Sequence, residues 1–334
     1  MKAVLVFVLV LGLPAASWAR GTYSQRDEVR QFVAEMVERH GFKRRELNAL
    51  FGRVRYQPAI IRAMTLPPEA PLRAWQNYRA MLVNPQRIEG GVRFSARHAE
   101  ALARAAGEFG IPAEILVAIL GIETVYGRNM GAYRVIDALA TLAFDYPRRA
   151  EYFRGELENY LLHARDAGID ALAVRGSYAG AIGIPQFMPG SYRRFALDYD
   201  GDGQRDLSGS PTDAIGSVAN FLKAHGWEAG AAIAVPARVA GEAYRLLLDA
   251  GIKPLYRLAE LGFFAVSGAE ALPGDSLCAL IELETPGQAS EYWIGLHNFY
   301  VLTRYNRSSF YAMAVLELAR EIAQAQADQS TTRP

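Results

Sequence analysis

The chain holds one cysteine, Cys278, and five histidines in 334 residues. A single thiol closes no internal disulfide and no cysteine-rich metal cluster, which excludes a disulfide scaffold and a zinc-ribbon protein. Cys278 falls in the alternating segment Leu277-Cys278-Ala279-Leu280-Ile281 and reads as a small core residue. An excess of one charge sign is lacking too: 36 basic side chains face 35 acidic ones. Nucleic-acid binding draws on net positive charge, so that partner class is excluded. Long apolar runs are missing beyond the first, residues 3–13, which is too short to span a bilayer. Lys2 before it and Ser17-Trp18-Ala19 after it give residues 1–19 the pattern of a cleavable signal peptide. No cysteine follows that leader, so a lipid-modified N-terminus is not expected. The expectation is a soluble exported protein, periplasmic, with no stable membrane span. Repeats and low-complexity tracts are lacking apart from the polar tail 327–334, read as disordered.

Helical periodicity fills most of the rest. Val29, Phe32, Val33, Met36 and Val37 form one apolar stripe ending at Gly41, and a shorter helix is predicted over 46–51. Pro67-Pro68 breaks the chain before helices over 72–82 and 96–109. Gly110-Ile111-Pro112 stops one helix and starts another. Further helices are predicted over 138–144 with Asp137 as N-cap, over 147–164 closed by Gly168, and over 214–224 opened by Thr212 or Asp213. Beyond Gly230 the texture changes: segments 232–239, 277–284 and 291–302 read as strands, with a helix over 242–249 and a final one over 311–326. The fold class is α+β, mainly α, with a small β-rich piece near the C-terminus.

Chemistry concentrates first at Glu123, which ends the apolar run from Ile115. On a helix Leu116, Ile119, Leu120 and Glu123 share one stripe, so the carboxyl points where water is scarce. Burial disfavours its ionised form, and each unit of upward pKa shift is worth about 1.4 kcal/mol. A protonated carboxyl at a cleft wall is what general-acid cleavage of a glycosidic bond needs. The plainer reading is a buried Glu satisfied by a backbone amide or an arginine. A second feature is the turn-rich segment 176–189, where Ser177 and Gln186 beside bare glycine backbone offer hydrogen bonds to sugar hydroxyls; a packing joint between helices would look the same. Third, Asp198, Asp200 and Asp202 with Gly203 match the first half of an EF-hand loop, in which Gln204 would contribute its carbonyl. Gly209 stands at the twelfth position, so Asp213 is the candidate to close a longer loop around a bracing Ca2+. Fourth, Asn298, Tyr300, Thr303, Arg304, Tyr305, Asn306 and Tyr311 combine rings and amides in a way that suits carbohydrate, although strand-edge packing explains them equally. Arg148 and Arg149 either hold lactyl or peptide carboxylates of a murein strand or face solvent.

Taken together, several ordered motifs closely resemble the membrane-bound lytic transglycosylase B family of murein-cleaving enzymes, glycoside hydrolase family 103. They are Ile122-Glu123-Thr124-x-Tyr126-Gly127, Asp137-Ala138-Leu139-Ala140-Thr141-Leu142, Tyr146-Pro147-Arg148-Arg149, Gln186-Phe187-Met188-Pro189, Asp213-Ala214-Ile215-Gly216 and Thr303-Arg304-Tyr305-Asn306. The resemblance runs from about Tyr23 to Ile322. It implies a lysozyme-like catalytic core over 111–229, including a calcium loop at 198–213. It also implies an N-terminal helical domain over 20–110, joined by the C-terminal helix 308–326, and a small β-rich domain over 230–307. It makes Glu123 the lone acid/base. It suggests substrate contacts from Tyr78, Arg148, Arg149, Tyr152, Ser177, Tyr178, Gln186, Tyr305, Asn306 and Tyr311, and one calcium held by Asp198, Asp200, Asp202, Gln204 and Asp213. Peptidoglycan glycan strands are the implied partner, with cell-wall synthesis proteins as possible others and no organic cofactor. Two other readings stay open: a lysozyme-type hydrolase with Asp137 or Asp145 as second carboxylate, and a non-catalytic murein-binding protein.

Overall fold

The computed structural model describes residues 22–65, 73–268 and 271–331. The expected leader over 1–19 and the Pro67-Pro68 break lie outside these residues. The chain divides into two compact units, residues 1–55 and 56–334. In the first, a 3₁₀ turn at Tyr23–Gln25 leads into α1 (Asp27–His40) and α2 (Arg44–Phe51). The stripe Val29, Phe32, Val33 and Met36 is the buried face of α1, and Phe32 meets Phe51 of α2 edge to face at 6.0 Å.

The second unit begins with α3 (Pro58–Thr65), α4 (Trp75–Leu82), α5 (Pro85–Arg97), α6 (Ala99–Phe109) and α7 (Ala113–Thr124). Sequence periodicity misses α3 and α5 and runs 96–109 together as one helix. Asn84 caps α5 by accepting the Arg87 amide, with Pro85 in the first turn, and the chain breaks at His98 before α6. Next come β1 (Tyr133–Arg134), α8 (Val135–Asp145), a 3₁₀ turn at Pro147–Arg149, α9 (Ala150–Asp166) and β2 (Arg175–Gly176), which pairs antiparallel with β1. Helices α10 (Pro189–Phe195) and α11 (Pro211–Ala224) follow. Asp137 is not the N-cap of α8 but lies within its first turn, drawn there by Arg134, whose guanidinium reaches both its oxygens at 2.8 and 2.9 Å. Ser210, not Thr212 or Asp213, caps α11 by accepting the Asp213 amide.

A five-stranded antiparallel sheet is built from β3 (Ala234–Val239), β4 (Tyr256–Arg257), β5 (Val266–Ser267), β6 (Leu277–Leu283) and β7 (Glu291–Gly295) in the order β4-β6-β7-β3-β5. Cys278, Leu280 and Ile294 face a local core with Tyr244, Leu258, Leu261 and Leu247 of α12 (Arg245–Asp249), so Cys278 is the core residue expected. The strand read over 291–302 is wrong after Gly295, because α13 (His297–Tyr305) takes over. Buried Asn298 pins that switch: its amide donates to the Glu228 and Ala231 carbonyls and accepts the Glu228 amide. Finally α14 (Ser309–Thr331) packs on α4, α5, α7 and α13. The tail over 327–334 is therefore not disordered up to residue 331. Its Ala/Gln-rich sequence is helix-forming and Gln324 bonds Asp328 one turn on. The boundary expected at residue 110 separates no compact units either, since α5 packs on α7 and α6 on α11, joining helices from both sides of it.

Candidate active site

Helix α7 is the central strut of the second unit. Every residue from Ile115 to Ile122 is buried, so the expected one-sided stripe is replaced by a helix covered all round, and Glu123 is the point where it opens. The last turn is fixed from several directions. Val125, Tyr126 and Gly127 are three consecutive left-handed residues (φ 52°, 60° and 89°), which is costly for a β-branched valine and ends the helix abruptly. The Thr124 hydroxyl donates to the Ile184 carbonyl at 2.8 Å and accepts the Gly127 amide at 2.9 Å, tying this corner to the turn-rich segment. Tyr126 fills a slot made by glycines: a Cβ at Gly121 would lie 2.5 Å from its hydroxyl, and one at Gly90 2.7 Å from its ring. Its hydroxyl donates to the Arg87 carbonyl at 2.7 Å. Sequence reasoning missed this support, although Gly90-Gly91 inside a helical stretch was its signal.

Glu123 is half-buried and accepts one hydrogen bond, from the Tyr311 hydroxyl of α14 at 2.7 Å. No cationic side chain pairs with it among the described residues. Burial pushes its pKa up to about 7, and the Tyr311 bond offsets only part of that. The negative end of the α7 dipole adds to the same trend. Tyr78 of α4 and Tyr305 of α13 stand close enough for the Glu123 charge to hold both phenols above their usual range, burial being the larger cause. Tyr305 and Tyr311 lie parallel at 6.2 Å, and Tyr78 packs on Phe310 at 5.6 Å. A carboxyl ringed by tyrosines, with no counter-ion among the described residues, is held in its protonated form up to near neutral pH.

Beside it opens a cavity of about 670 Å³ lined by Arg149, Tyr152, Gln186, Arg304, Tyr305 and Asn306, with Met188, Ser191 and Arg307 among the rest of its lining. It gathers five of the ten expected substrate contacts, while Tyr78 and Tyr311 gather at Glu123. Gln186 is left-handed (φ 51°) and its amide donates to the Gly183 and Met130 carbonyls, which holds the turn against α13 through the Tyr305 hydroxyl on Pro185 at 2.5 Å. Arg149 lies over the Tyr152 ring at 4.3 Å. Arg148 stands exposed on the same turn and does not line this cavity. Nor do Ser177, whose hydroxyl braces the turn by accepting the Ala181 amide, and Tyr178, which is exposed. Arg307 and Ser191 were not anticipated; nothing in their spacing marks them. Asp137 is paired to Arg134 and reached by Gln57 at 3.4 Å, so it is not free to act as a second carboxylate.

The Asp-rich loop between α10 and α11 brings Asp198, Asp200 and Asp202 together, with carboxylate oxygens within 4.8 Å of one another. Asp198 accepts the amides of Gly201, Asp202 and Gly203, and Asp202 that of Gln204, so the loop is already wound around its acids. Three clustered carboxylates and exposed backbone carbonyls are an all-oxygen donor set of the kind calcium takes. Asp213 is buried and its two oxygens accept the amides of Tyr199, Asp200 and Asp206, clamping the loop ends onto α11.

A helical unit that holds one protonatable carboxyl at the edge of an aromatic, arginine-lined groove is the architecture of an enzyme that cleaves glycosidic bonds. Residues 24–320 match the transglycosylase SLT domain. The chain is 43% identical to membrane-bound lytic murein transglycosylase B of Escherichia coli strain K12, over 91% of this chain and 84% of that protein. Its structure is similar to that of soluble lytic transglycosylase SltB1 from Pseudomonas aeruginosa, at 46% identity and a TM-score of 0.85 over 90% of this chain and 99% of the other. It is also similar to lytic transglycosylase Slt35 of Escherichia coli in complex with calcium, at 41% identity and a TM-score of 0.80 over 93% and 96%. The chain belongs to the transglycosylase SLT family and is a peptidoglycan lytic transglycosylase with a lysozyme-like, mainly helical fold.

Proposed function

We propose that this enzyme acts in the periplasm, where it cleaves the β-1,4 bond between N-acetylmuramic acid and N-acetylglucosamine with Glu123 as its only acid/base. The observation that carries this reading is Glu123 itself, bonded to Tyr311 alone and holding its proton up to about pH 7. Protonated Glu123 donates to the leaving oxygen as the C1–O4 bond breaks. With no second carboxylate lining the groove among the described residues, the N-acetyl oxygen of the same sugar bonds to C1, as in substrate-assisted glycosidases. Glu123, now ionised, accepts the proton of the C6 hydroxyl. O6 displaces the acetyl oxygen from C1 and closes a 1,6-anhydro ring. The tyrosines around Glu123 keep water from C1, since water there would give hydrolysis.

Tyr78, Arg149, Tyr152, Gln186, Tyr305, Asn306 and Tyr311 would line the glycan path, with Arg148, Ser177 and Tyr178 further along it. The geometry of the Asp198 loop supports a calcium site of Asp198, Asp200 and Asp202 with the Gln204 carbonyl, which Asp213 would close. Three amide bonds leave Asp213 about one of its four acceptor positions. Bound calcium would brace the loop and take no part in the bond cleavage. No single helix among the described residues is long and apolar enough to cross a membrane. The test is a digest of purified murein read by mass spectrometry: anhydro products, one water lighter than reducing-end products, are expected. Reducing-end products would favour a hydrolase, and no product would favour a binding protein.

A further inference from the structure

A second cavity, of about 620 Å³, lies on the other side of α10 from the groove. Ser191 lines the groove, whereas the next two residues, Tyr192 and Arg193, line this cavity, so one short helix separates the two. Its floor is the His163 ring packed on Tyr192 at 4.2 Å, and Tyr192 in turn donates to the Arg205 carbonyl of the Asp-rich loop. Arg205 and Arg193 both act electrostatically on His163, so three nitrogen-bearing side chains converge on one space.

Their partners are unequal. Arg193 donates to Asn159 at 2.9 Å and has Asp166 at 3.8 Å. The carboxylates at the rim are also engaged: Asp166 with Arg165 at 3.0 Å, Asp206 with the Ser208 and Gly209 amides. The Arg205 guanidinium and the His163 ring have no hydrogen-bonding partner among the described residues. Ile169, Val174 and Ile182 form an apolar wall opposite. Burial and the two neighbouring arginines hold the His163 pKa below its usual value, so the ring offers a neutral N–H beside the Arg205 guanidinium. One unmatched cation and one neutral N–H facing a short apolar wall fit a carboxylate attached to a small aliphatic group.

We propose that this cavity binds the carboxylate end of a murein stem peptide whose glycan lies in the groove, an inference that rests on the murein reading above. The reach is adequate: an extended pentapeptide spans about 17 Å, against about 10 Å for the width of a helix with its side chains. The site would make the enzyme prefer strands that still carry stems over strands stripped of them.

The probe is diacetyl-Lys-D-Ala-D-Ala, titrated calorimetrically into the calcium-loaded full chain beside its C-terminal amide. The acid is expected to bind saturably and at least about tenfold more tightly than the amide, the effect of about 1.4 kcal/mol from one charge-assisted contact. Arg205→Gln and His163→Gln should each weaken the acid about fivefold. They should also raise KM about fivefold on stem-bearing strands, leaving kcat, and all rates on amidase-stripped strands, unchanged. Equal binding of acid and amide, no saturable binding, or equal competition by acetate would overturn the proposal, and wild-type protein alone decides those three. A KM rise on both kinds of strand would assign these residues a structural role instead. Binding is read without turnover, so a chain that binds the peptide but cuts no murein would sink the reaction and leave this cavity standing.

Discussion

Two acidic sites of this enzyme use the same functional group for opposite ends. At the end of α7 one carboxyl has a single hydroxyl donor and walls of tyrosine, and it keeps its proton to about pH 7. In the loop after α10, carboxylates lie at the surface and collect amide and hydroxyl donors. Asp200 is held below its usual range, chiefly by the Ser210 hydroxyl at 2.6 Å. Environment sorts them: few donors and little water favour the protonated carboxyl, as the proposed acid requires, and many donors with open solvent favour carboxylates, as the proposed calcium site requires. Asp213 sits between, raised by burial and partly brought back by its three backbone amides, as suits a clamp.

The sharpest way to break this contrast is Glu123→Gln, which should lower kcat by about 10²- to 10⁴-fold, measured by release of anhydro ends, while glycan binding persists. The same variant has a stability signature. The folded pKa of Glu123 lies above the ordinary glutamate value of 4.5, so the stability contributed by its neutral form is complete below about 4.5 and is lost as pH rises through about 7. Above pH 7 the Gln variant should therefore be the more stable protein, by at most about 3 kcal/mol in urea titrations. Next comes Gly121→Ala, whose methyl would press on the Tyr126 hydroxyl 2.5 Å away. A cost of about 1–3 kcal/mol in stability and a loss of about 10- to 100-fold in kcat are expected, since the carboxyl proposed as the acid would be displaced. Tyr311→Phe removes the one donor that favours ionised Glu123, so the alkaline limb of the pH–rate profile should move upward from about 7 and kcat fall about tenfold. Smallest is calcium removal: chelator should lower Tm by a few degrees and leave the product masses unchanged. An altered product would contradict a bracing role.

Much of this contrast was legible in the sequence, for unequal reasons. Glu123 at the end of an apolar run and carboxylates at alternate positions 198, 200 and 202 are local patterns, and local patterns survive without a fold. Most helices were legible for the same reason. What escaped was set by partners distant in the chain. The helix α5 depends on the Asn84 cap and then packs on α7 and α14. The switch from β7 to α13 depends on Asn298 finding carbonyls about seventy residues earlier. Tyr126 could not be recognised as a support without the three glycines of two helices that receive it. Asp137 had the composition of a cap, and only the fold shows Arg134 claiming it.

The Tyr311 bond to Glu123 joins positions 188 residues apart, and Tyr311 belongs to α14, which is synthesised long after α7. A growing chain has made its acid long before it makes the ring that finishes the acid's surroundings. A lytic transglycosylase built this way cannot complete the surroundings of its acid until α14 has followed α7 out of the ribosome.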